Sequence, residues 1–325
     1  MAGGHLTPDP EDDLFAGVVN LESVRLVLGI APVTGLTVIA ANVSSAYLHA
    51  FTTEKVYVIA GKEFGPMEGQ ILVIIKALYG LKTSGARWHQ TFAESLRALG
   101  FRPSTADYDM WIRNNETHYE YITVIVDDLL IASKDPKGIT EELKDLGYEL
   151  KSVGTPEYYN GADIKYDTDN DCWTLSSETY IKTVCERIEK LLEVKLRNNG
   201  SPLVVGDHPE QDETEELYGK DITMYQMLIG CAQWAVNLGR FDIQYATNTL
   251  ARYSVMPKRG HFERALRVFG YLQHNKCARL SLNTSPVDLD MVDFKEHNWM
   301  DLYPDATWNG SRIICPNQKD QESYR

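Results

Sequence analysis

The chain has 325 residues, of which 43% are hydrophobic and 24% charged, so it can bury a sizeable core and does not have the composition of a disordered protein. Its net charge of −14 argues against electrostatic capture of nucleic acid over the whole surface. No run of about 18 apolar residues and no basic, apolar leader occurs, which predicts no membrane span and a cytoplasmic or nuclear location.

Helices alternate with β-type segments in the first half of the chain. Residues 1–20 are acidic and turn-rich, and we expect a disordered or frayed lead-in there. Apolar residues three or four positions apart predict helices at 21–39 (broken near Pro32 and Gly35), 84–100 and 139–147. Apolar or alternating runs predict strands at 36–43, 56–60, 71–75, 119–132 and 158–175.

The second half is predicted to be mainly helical. The same spacing indicates helices at 178–197, 224–238, 242–252 and 261–273. Residues 201–222 are rich in Pro, Gly and acids and are predicted to be an acidic linker, and 283–325 to be a loose C-terminal tail. The fold class is therefore predicted to be α+β.

Charge is unevenly distributed in this half. Residues 251–280 hold seven Arg or Lys residues against Glu263 alone, whereas 207–221 hold seven acids against Lys220 alone. The basic segment can contact a phosphate backbone, but such runs are more often solvated helix faces, and both interpretations stay open.

One pair of residues interrupts an apolar pattern where burial is expected. Asp127 and Asp128 stand between the runs Val124-Ile125-Val126 and Leu129-Leu130-Ile131. Two like charges in an apolar hairpin are costly unless a cation binds them. The alternative is a hairpin turn that exposes both carboxylates to water, and the pair by itself does not decide between these readings.

Six segments together resemble Ty1/copia-type retrotransposon reverse transcriptases, in family order over residues 20–282. Asn42-Val43-Ser44-Ser45-Ala46-Tyr47-Leu48 resembles the motif D-V-x-x-A-[FY]-L, and Val126-Asp127-Asp128 the Y-V-D-D turn. Similar matches are Ala77–Lys82 with Arg87-Trp88 (L-Y-G-L-K…R-x-W), Tyr225–Gly230 (Y-x-x-L-I-G), Gly239–Ile243 (T-R-P-D-I) and His261…Arg267…Tyr271-Leu272 (H-x-x-x-x-R-x-x-x-Y-L).

The resemblance implies a right-hand polymerase with an antiparallel-sheet palm, partial fingers and a helical thumb and connection. The implied subdomains are fingers and palm at 21–175, a thumb helix region at 176–200 and a helical connection at 223–282, on either side of the linker. The implied partners are an RNA or DNA template-primer and a deoxynucleoside triphosphate, with no membrane. The implied cofactor is a pair of Mg²⁺ or Mn²⁺ ions held by oxygen ligands.

Residue roles carry over by position. Asp127 and Asp128 would be the catalytic metal ligands, and Asn42 stands at the first catalytic position. The implied nucleotide-binding residues, of which Tyr47 would be the steric gate, are Ser45, Ala46, Tyr47, Tyr79 and Gly80. The implied nucleic-acid-binding residues are Lys82, Arg87, Gly161, Arg252, Lys258, Arg259, Arg264 and Arg267. Tyr47 and Tyr79 also read as ordinary core aromatics.

The chain departs from the family pattern at residues that the family uses for catalysis and primer binding. Asn42 stands where the family has an Asp, so this position brings no negative charge to a two-metal site. Loss of one preorganised charge-stabilising group typically lowers the rate by a factor of about 10²–10³. Ile125 replaces the tyrosine before the Asp pair, and Asn160 an aliphatic residue near the primer-gripping hairpin. We therefore expect an impaired polymerase. The alternatives are a non-catalytic nucleic-acid-binding or interaction scaffold, and a degenerate fragment.

Overall fold

The computed structural model describes residue 7, residues 9–10, residues 14–283 and the backbone of 312–314. It divides into two compact units, an N-terminal unit (residues 1–156) and a C-terminal unit (residues 157–325). Each unit combines helices with an antiparallel sheet, which confirms the predicted α+β class. No described helix is long and apolar enough to span a membrane.

The N-terminal unit is built on a six-stranded antiparallel sheet with the order β4-β5-β6-β7-β1-β8. Its elements are α1 (Leu21–Thr34), β1 (Thr37–Val43), β2 (Tyr57–Ile59), β3 (Ile71–Val73), α2 (Ser84–Ala98), β4 (Arg102–Pro103), β5 (Met110–Asn115), β6 (His118–Ile125), β7 (Asp128–Ser133), α3 (Pro136–Asp145) and β8 (Leu150–Gly154). Strands β2 and β3 form a separate two-stranded ribbon.

Helices cover both faces of this sheet. Trp88, Phe92 and Leu96 of α2 share a core cluster with residues of α3 and with alternate residues of the central strands. Helix α1 packs on β1, β6 and β7 through residues such as Val27 and Leu28, which are buried. Burial on both faces explains why the central strands are almost continuously apolar rather than alternating.

The C-terminal unit joins a five-stranded antiparallel sheet, with the order β13-β12-β11-β10-β9, to four helices. Its elements are β9 (Tyr158–Tyr159), β10 (Ala162–Asp167), β11 (Cys172–Ser176), α4 (Glu178–Leu192), α5 (Lys220–Asn237), α6 (Gln244–Ala251), α7 (Arg259–His274), β12 (Arg279–Leu282) and β13 (Arg312–Ile314). Tyr225, Leu228 and Phe269 lie at the centre of the helical core.

The two units divide between residues 156 and 157, and the subdomain boundary at 175/176 that the resemblance implies stays a prediction. Strand β11 pairs with β12, so that Trp173 lies opposite Leu282, and α4 contacts β10. These contacts group residues 158–175 with the C-terminal helices. The pairing partner is about a hundred residues away along the chain, so no local pattern reveals it.

Two predicted end segments are described only in part. In the lead-in, the Val19 N–H donates to the Val124 carbonyl at 3.1 Å, and the Asn20 N–H donates to Asp107 at 2.9 Å. In the tail, Arg312–Ile314 pair with β12. The rest of the predicted loose tail, from 284 to 311 and beyond 314, lies outside the described residues.

Candidate active site

The Asp-Asp pair lies at a tight turn between β6 and β7. Ile125 and Asp128 are the last paired residues, and Val126 and Asp127 form the turn. Val126 has φ 55°, a left-handed conformation that is rare for a β-branched residue and costs about 1–3 kcal/mol. The Trp88 indole N–H, from α2, donates to the Val126 carbonyl at 2.6 Å. The buried indole therefore holds a strained turn in place.

Strand β1 places Asn42 beside this turn. It pairs with β7 in a register that sets Asn42 opposite Asp128, and the Val43 N–H donates to the Asp127 carbonyl at 2.8 Å. The Asn42 amide nitrogen Nδ2 donates to Asp127 Oδ2 at 3.1 Å and to Asp128 Oδ1 at 2.9 Å. The three predicted catalytic positions are thus in mutual contact, although 85 residues separate Asn42 from Asp127.

The donor set only partly fits a divalent cation. Carboxylate oxygens of Asp127 and Asp128 suit Mg²⁺ or Mn²⁺. Asn42, however, turns its N–H group toward both carboxylates, and the opposite orientation would set its carbonyl oxygen against two anionic acceptors. Within the described part of the chain no group of three or more His, Cys, Asp or Glu side chains is arranged to hold a metal. The Asn42 amide occupies a position that a third carboxylate ligand would need.

The predicted nucleotide-binding residues lie close to the turn. Ser45 has φ 51° and precedes a short 3₁₀ helix, Ala46–His49, which carries Tyr47. The Tyr47 and Tyr79 rings are in contact, with centroids 4.4 Å apart. Burial, then Tyr79 and then the charge of Asp127 raise the pKa of the Tyr47 phenol. Gly80, beside Tyr79, is exposed.

The two basic residues predicted from this unit already have partners inside it. The Lys82 ammonium donates to the Thr7 carbonyl and to Asp9, each at 2.8 Å. The Arg87 guanidinium donates to the Phe51 carbonyl at 3.3 Å and to Gln90 at 3.2 Å.

An ion pair near the turn was missed from the sequence. His89 Nε2 lies 2.6 Å from Asp109 Oδ1, and this hydrogen bond raises the pKa of His89. Both residues line a cavity of about 30 Å³ that Tyr47 and Val126 also line. In the sequence His89 fits no metal-ligand spacing and is indistinguishable from an ordinary surface or core histidine. No local sequence pattern points to this pair, because Asp109 lies 20 residues from His89 and its burial is seen only in the structure.

Two of the five basic residues predicted from the C-terminal unit, Lys258 and Arg264, contact acidic residues of the linker. The Arg264 guanidinium forms two hydrogen bonds with Asp207, at 2.8 and 2.9 Å, and a further ion pair with Asp212. The Lys258 ammonium donates to the Asp212 carbonyl at 2.5 Å. The oppositely charged segments seen in the sequence therefore neutralise each other in part.

The remaining predicted contacts are more varied. Arg267 bonds Asn199 and Ser201, at 3.3 and 3.2 Å. Arg252 and Arg259 are exposed on the surface. Gly161 has φ +83°, and a Cβ atom built on it would lie 3.3 Å from the Trp234 ring, so packing within the unit accounts for a glycine here.

Two of the six motifs meet in a buried network. Arg240 forms a bidentate pair with Asp242, at 2.9 and 2.6 Å, and the Tyr271 hydroxyl donates to the same carboxylate at 2.9 Å. Arg240 is almost fully buried. The Gly239–Ile243 and His261…Leu272 motifs thus have a structural role: they join the start of α6 to α7.

Comparison with known proteins identifies the family. The family described as reverse transcriptase (RNA-dependent DNA polymerase) matches residues 5–195, more than half of the chain. The chain belongs to this family, as the reverse transcriptase region of a copia-type retrotransposon. The resemblance inferred from the six motifs is confirmed.

Three relatives illustrate the match. The putative transposon Ty5-1 protein of Saccharomyces cerevisiae is 31% identical over 240 residues, which cover 71% of this chain and 74% of that protein. The Pol polyprotein from transposon TNT 1-94 of Nicotiana tabacum is 27% identical over 81% of this chain, and that from transposon RE1 of Arabidopsis thaliana 25% identical over 92%. In each of these two polyproteins the matched region is 20% of the length.

Proposed function

We propose that this chain is a polymerase region of right-hand architecture in which RNA-directed DNA synthesis is impaired at Asn42. The observation that carries the proposal is the contact of the Asn42 amide with both Asp127 and Asp128. In this proposal the two carboxylates would hold the metal ions, which supply charge neutralisation for the triphosphate when bound. The amide adds no negative charge and competes for the same carboxylate oxygens.

The surrounding residues would position the substrates. Tyr47 is proposed as the residue that limits the space beside the sugar of the incoming nucleotide, with Tyr79 packed against its ring. Ser45, Ala46 and Gly80 are proposed to approach the nucleotide through their backbones. Contact with a template-primer is proposed for Lys82, Arg87, Gly161, Arg252, Lys258, Arg259, Arg264 and Arg267; Arg252 and Arg259 are the most exposed of these basic side chains.

Primer extension on an RNA template tests the proposal. The reaction is run with Mg²⁺ and with Mn²⁺ on the wild-type chain, Asn42→Asp, Asp127→Ala and the double variant. We expect Asn42→Asp to extend roughly 10²–10³ times faster than wild type, since it restores a charge-stabilising group. Asp127→Ala in either background should abolish extension. Wild-type extension that Asn42→Asp does not increase would contradict the impairment.

The second candidate is a non-catalytic nucleic-acid-binding scaffold. The observation in its favour is that the Asn42 amide donates a hydrogen bond to each of the two carboxylates and adds no negative charge. If neither wild type nor Asn42→Asp extends a primer, binding to an RNA–DNA duplex at several salt concentrations distinguishes a scaffold from a degenerate fragment. A scaffold would bind with an affinity that falls as salt rises, and a degenerate fragment would not bind.

A further inference from the structure

The sheet of the C-terminal unit has a polar face with a pocket that polymerase chemistry at Asp127 does not use. Strand pairing places Lys165, Thr174 and Ser281 in one row across β10, β11 and β12. Arg279 lies on the same face as Ser281, because residues two apart on a strand share a face. The opposite face carries the apolar residues Ile164, Trp173, Leu175, Leu280 and Leu282. The polar face forms a pocket of about 440 Å³.

Two hydrogen-bond donors in this pocket have no acceptor among the residues that the structure describes. Ser281 is 6% exposed, and its hydroxyl has no partner among the described residues. The buried Nε–H of Arg279 has none there either. The hydroxyl groups beside them are satisfied: Thr174 donates to the Lys165 carbonyl at 3.0 Å, and Ser176 donates to the Ala278 carbonyl at 3.4 Å. Since about 90% or more of buried polar groups in proteins have a partner, two orphan donors in one pocket indicate a missing acceptor.

The pocket lining carries two cationic side chains, Lys165 and Arg279, and two carboxylates, Asp167 and Asp169. Arg279 and Lys165 both line the pocket with Ser281 and form no ion pair within 4 Å among the described residues, although the charge of Lys165 helps to lower the pKa of Asp167. The Asp167 carboxylate accepts hydrogen bonds from the Asn170 side chain, at 2.8 Å, and from two backbone N–H groups of the hairpin turn, which lower its pKa. The turn thus takes up most of the acceptor sites of Asp167, while Arg279 Nε and the Ser281 hydroxyl have no partner among the described residues.

We propose that this pocket binds a phosphate group. A guanidinium presents several N–H donors in one plane and matches phosphate oxygens two at a time, which makes Arg279 the main ligand. The Ser281 hydroxyl would donate to the same group, and Lys165 would add positive charge. The acidic rim offsets part of the attraction, so inorganic phosphate should bind with a dissociation constant on the order of 1 mM or tighter.

The volume leaves space beyond the phosphate itself. Ligand pockets of about 300–1,000 Å³ typically hold small organic molecules, so the phosphate could belong to a free nucleotide or to a nucleic-acid backbone. The shared chemistry is the phosphate group. The proposal does not depend on catalysis at Asp127, and an inactive polymerase would leave it standing.

Calorimetric titration of the full chain with inorganic phosphate, at constant ionic strength in chloride buffer, tests the site. We expect Arg279→Gln to weaken binding roughly tenfold or more, and Arg279→Lys to weaken it less. Arg187→Gln, on the exposed surface of α4, is the matched control and should leave the affinity unchanged. Absence of saturable phosphate binding to the wild-type chain would overturn the proposal.

Ser281→Ala gives a second and independent readout. Removal of an orphan buried hydroxyl relieves an unsatisfied group, so the ligand-free melting temperature should rise by roughly 2–4 °C while phosphate affinity falls several-fold. Ser177→Ala is the control, because the Ser177 hydroxyl is also buried without a partner but does not line the pocket. It should raise the melting temperature without changing phosphate affinity. Equal affinities in wild type, Arg279→Gln and Ser281→Ala would sink the proposal.

Three ligands distinguish the source of the phosphate. Inorganic phosphate, a deoxynucleoside monophosphate and a short RNA–DNA duplex are titrated into wild type and Arg279→Gln. If Arg279→Gln loses affinity only for inorganic phosphate and the monophosphate, the ligand is a free phosphate compound. If Arg279→Gln also loses affinity for the duplex, and the slope of log affinity against log salt concentration becomes smaller by about one, the ligand is a backbone phosphodiester.

Discussion

The Asn42 amide donates hydrogen bonds to Asp127 at 3.1 Å and to Asp128 at 2.9 Å, and so holds together two carboxylates that would otherwise repel each other. In a metal-dependent site, cations have this role. The amide therefore stabilises the turn by offsetting this repulsion.

Asn42→Asp should make the stability of the chain depend on Mg²⁺. Without metal, a third carboxylate replaces two hydrogen bonds with repulsion, and we expect the free energy of unfolding to fall by about 1–2 kcal/mol. Added Mg²⁺ should restore it by binding the folded state. Thermal unfolding in EDTA and in Mg²⁺ measures both effects. Asn114→Asp, at an exposed strand position, is the control, and an unchanged melting temperature for Asn42→Asp in EDTA would contradict the expectation.

At Val126 a glycine variant should be more stable than an alanine variant, which is the reverse of the order expected at a regular strand residue. At φ 55° an alanine keeps the left-handed strain that glycine relieves, so Val126→Gly should be more stable than Val126→Ala by about 1 kcal/mol. At Val124, in regular strand geometry on β6, the order should reverse by about 0.5–1 kcal/mol. Urea unfolding of the four variants tests this. If the alanine variant is the more stable one at both positions, the turn is not strained.

Arg264→Met should destabilise the C-terminal unit and change its response to acid. The variant leaves Asp207 and Asp212 without their cation, which typically costs about 3–5 kcal/mol when a buried pair is broken. The Arg264 hydrogen bonds lower the pKa of Asp207 below its ordinary 3.8, so the stabilisation is complete above that pH and is lost as the pH falls through the folded pKa. Unfolding from pH 2 to 7 should show a smaller acid dependence in Arg264→Met. Arg259→Met, on the exposed surface, should match wild type.

His89 should titrate above its ordinary pKa of 6.5 because Asp109 accepts its hydrogen bond. A raised folded-state pKa means that the pair stabilises the N-terminal unit fully below about pH 6.5, and that this contribution is lost as the pH rises through the folded pKa. The imidazole proton resonances report the titration directly. Asp109→Asn should move the midpoint back down, and an unshifted midpoint would exclude the ion pair.

Gly161→Ala separates packing from nucleic-acid contact. The positive φ of +83° and the Trp234 ring 3.3 Å from a Cβ atom should together destabilise the unit by about 1–3 kcal/mol. Gly200→Ala, which meets no atom within 4 Å, is the control. If the melting temperature is unchanged but duplex binding is lost, the glycine serves nucleic-acid contact rather than packing.

Local patterns predicted the helices well. Helices α4, α5, α6 and α7 lie where apolar residues recur every three or four positions, because the periodicity of a helix is written within a few residues of sequence. The Asp127–Asp128 turn was likewise visible, since two charges interrupt a buried apolar run. The order of the six motifs was enough to indicate the reverse transcriptase family.

Contacts between distant residues were decided by the tertiary structure alone. Strand β1 lies next to β7, and only that register brings Asn42 to Asp127 and Asp128. The linker lies against the start of α7, so Arg264 forms ion pairs with Asp207 and Asp212 instead of presenting a free positive charge at the surface. The pocket at Arg279 and Ser281 exists because β12 pairs with β11 across a long stretch of chain. Pairing register and charge compensation depend on which segments meet, and sequence periodicity carries no information about that choice.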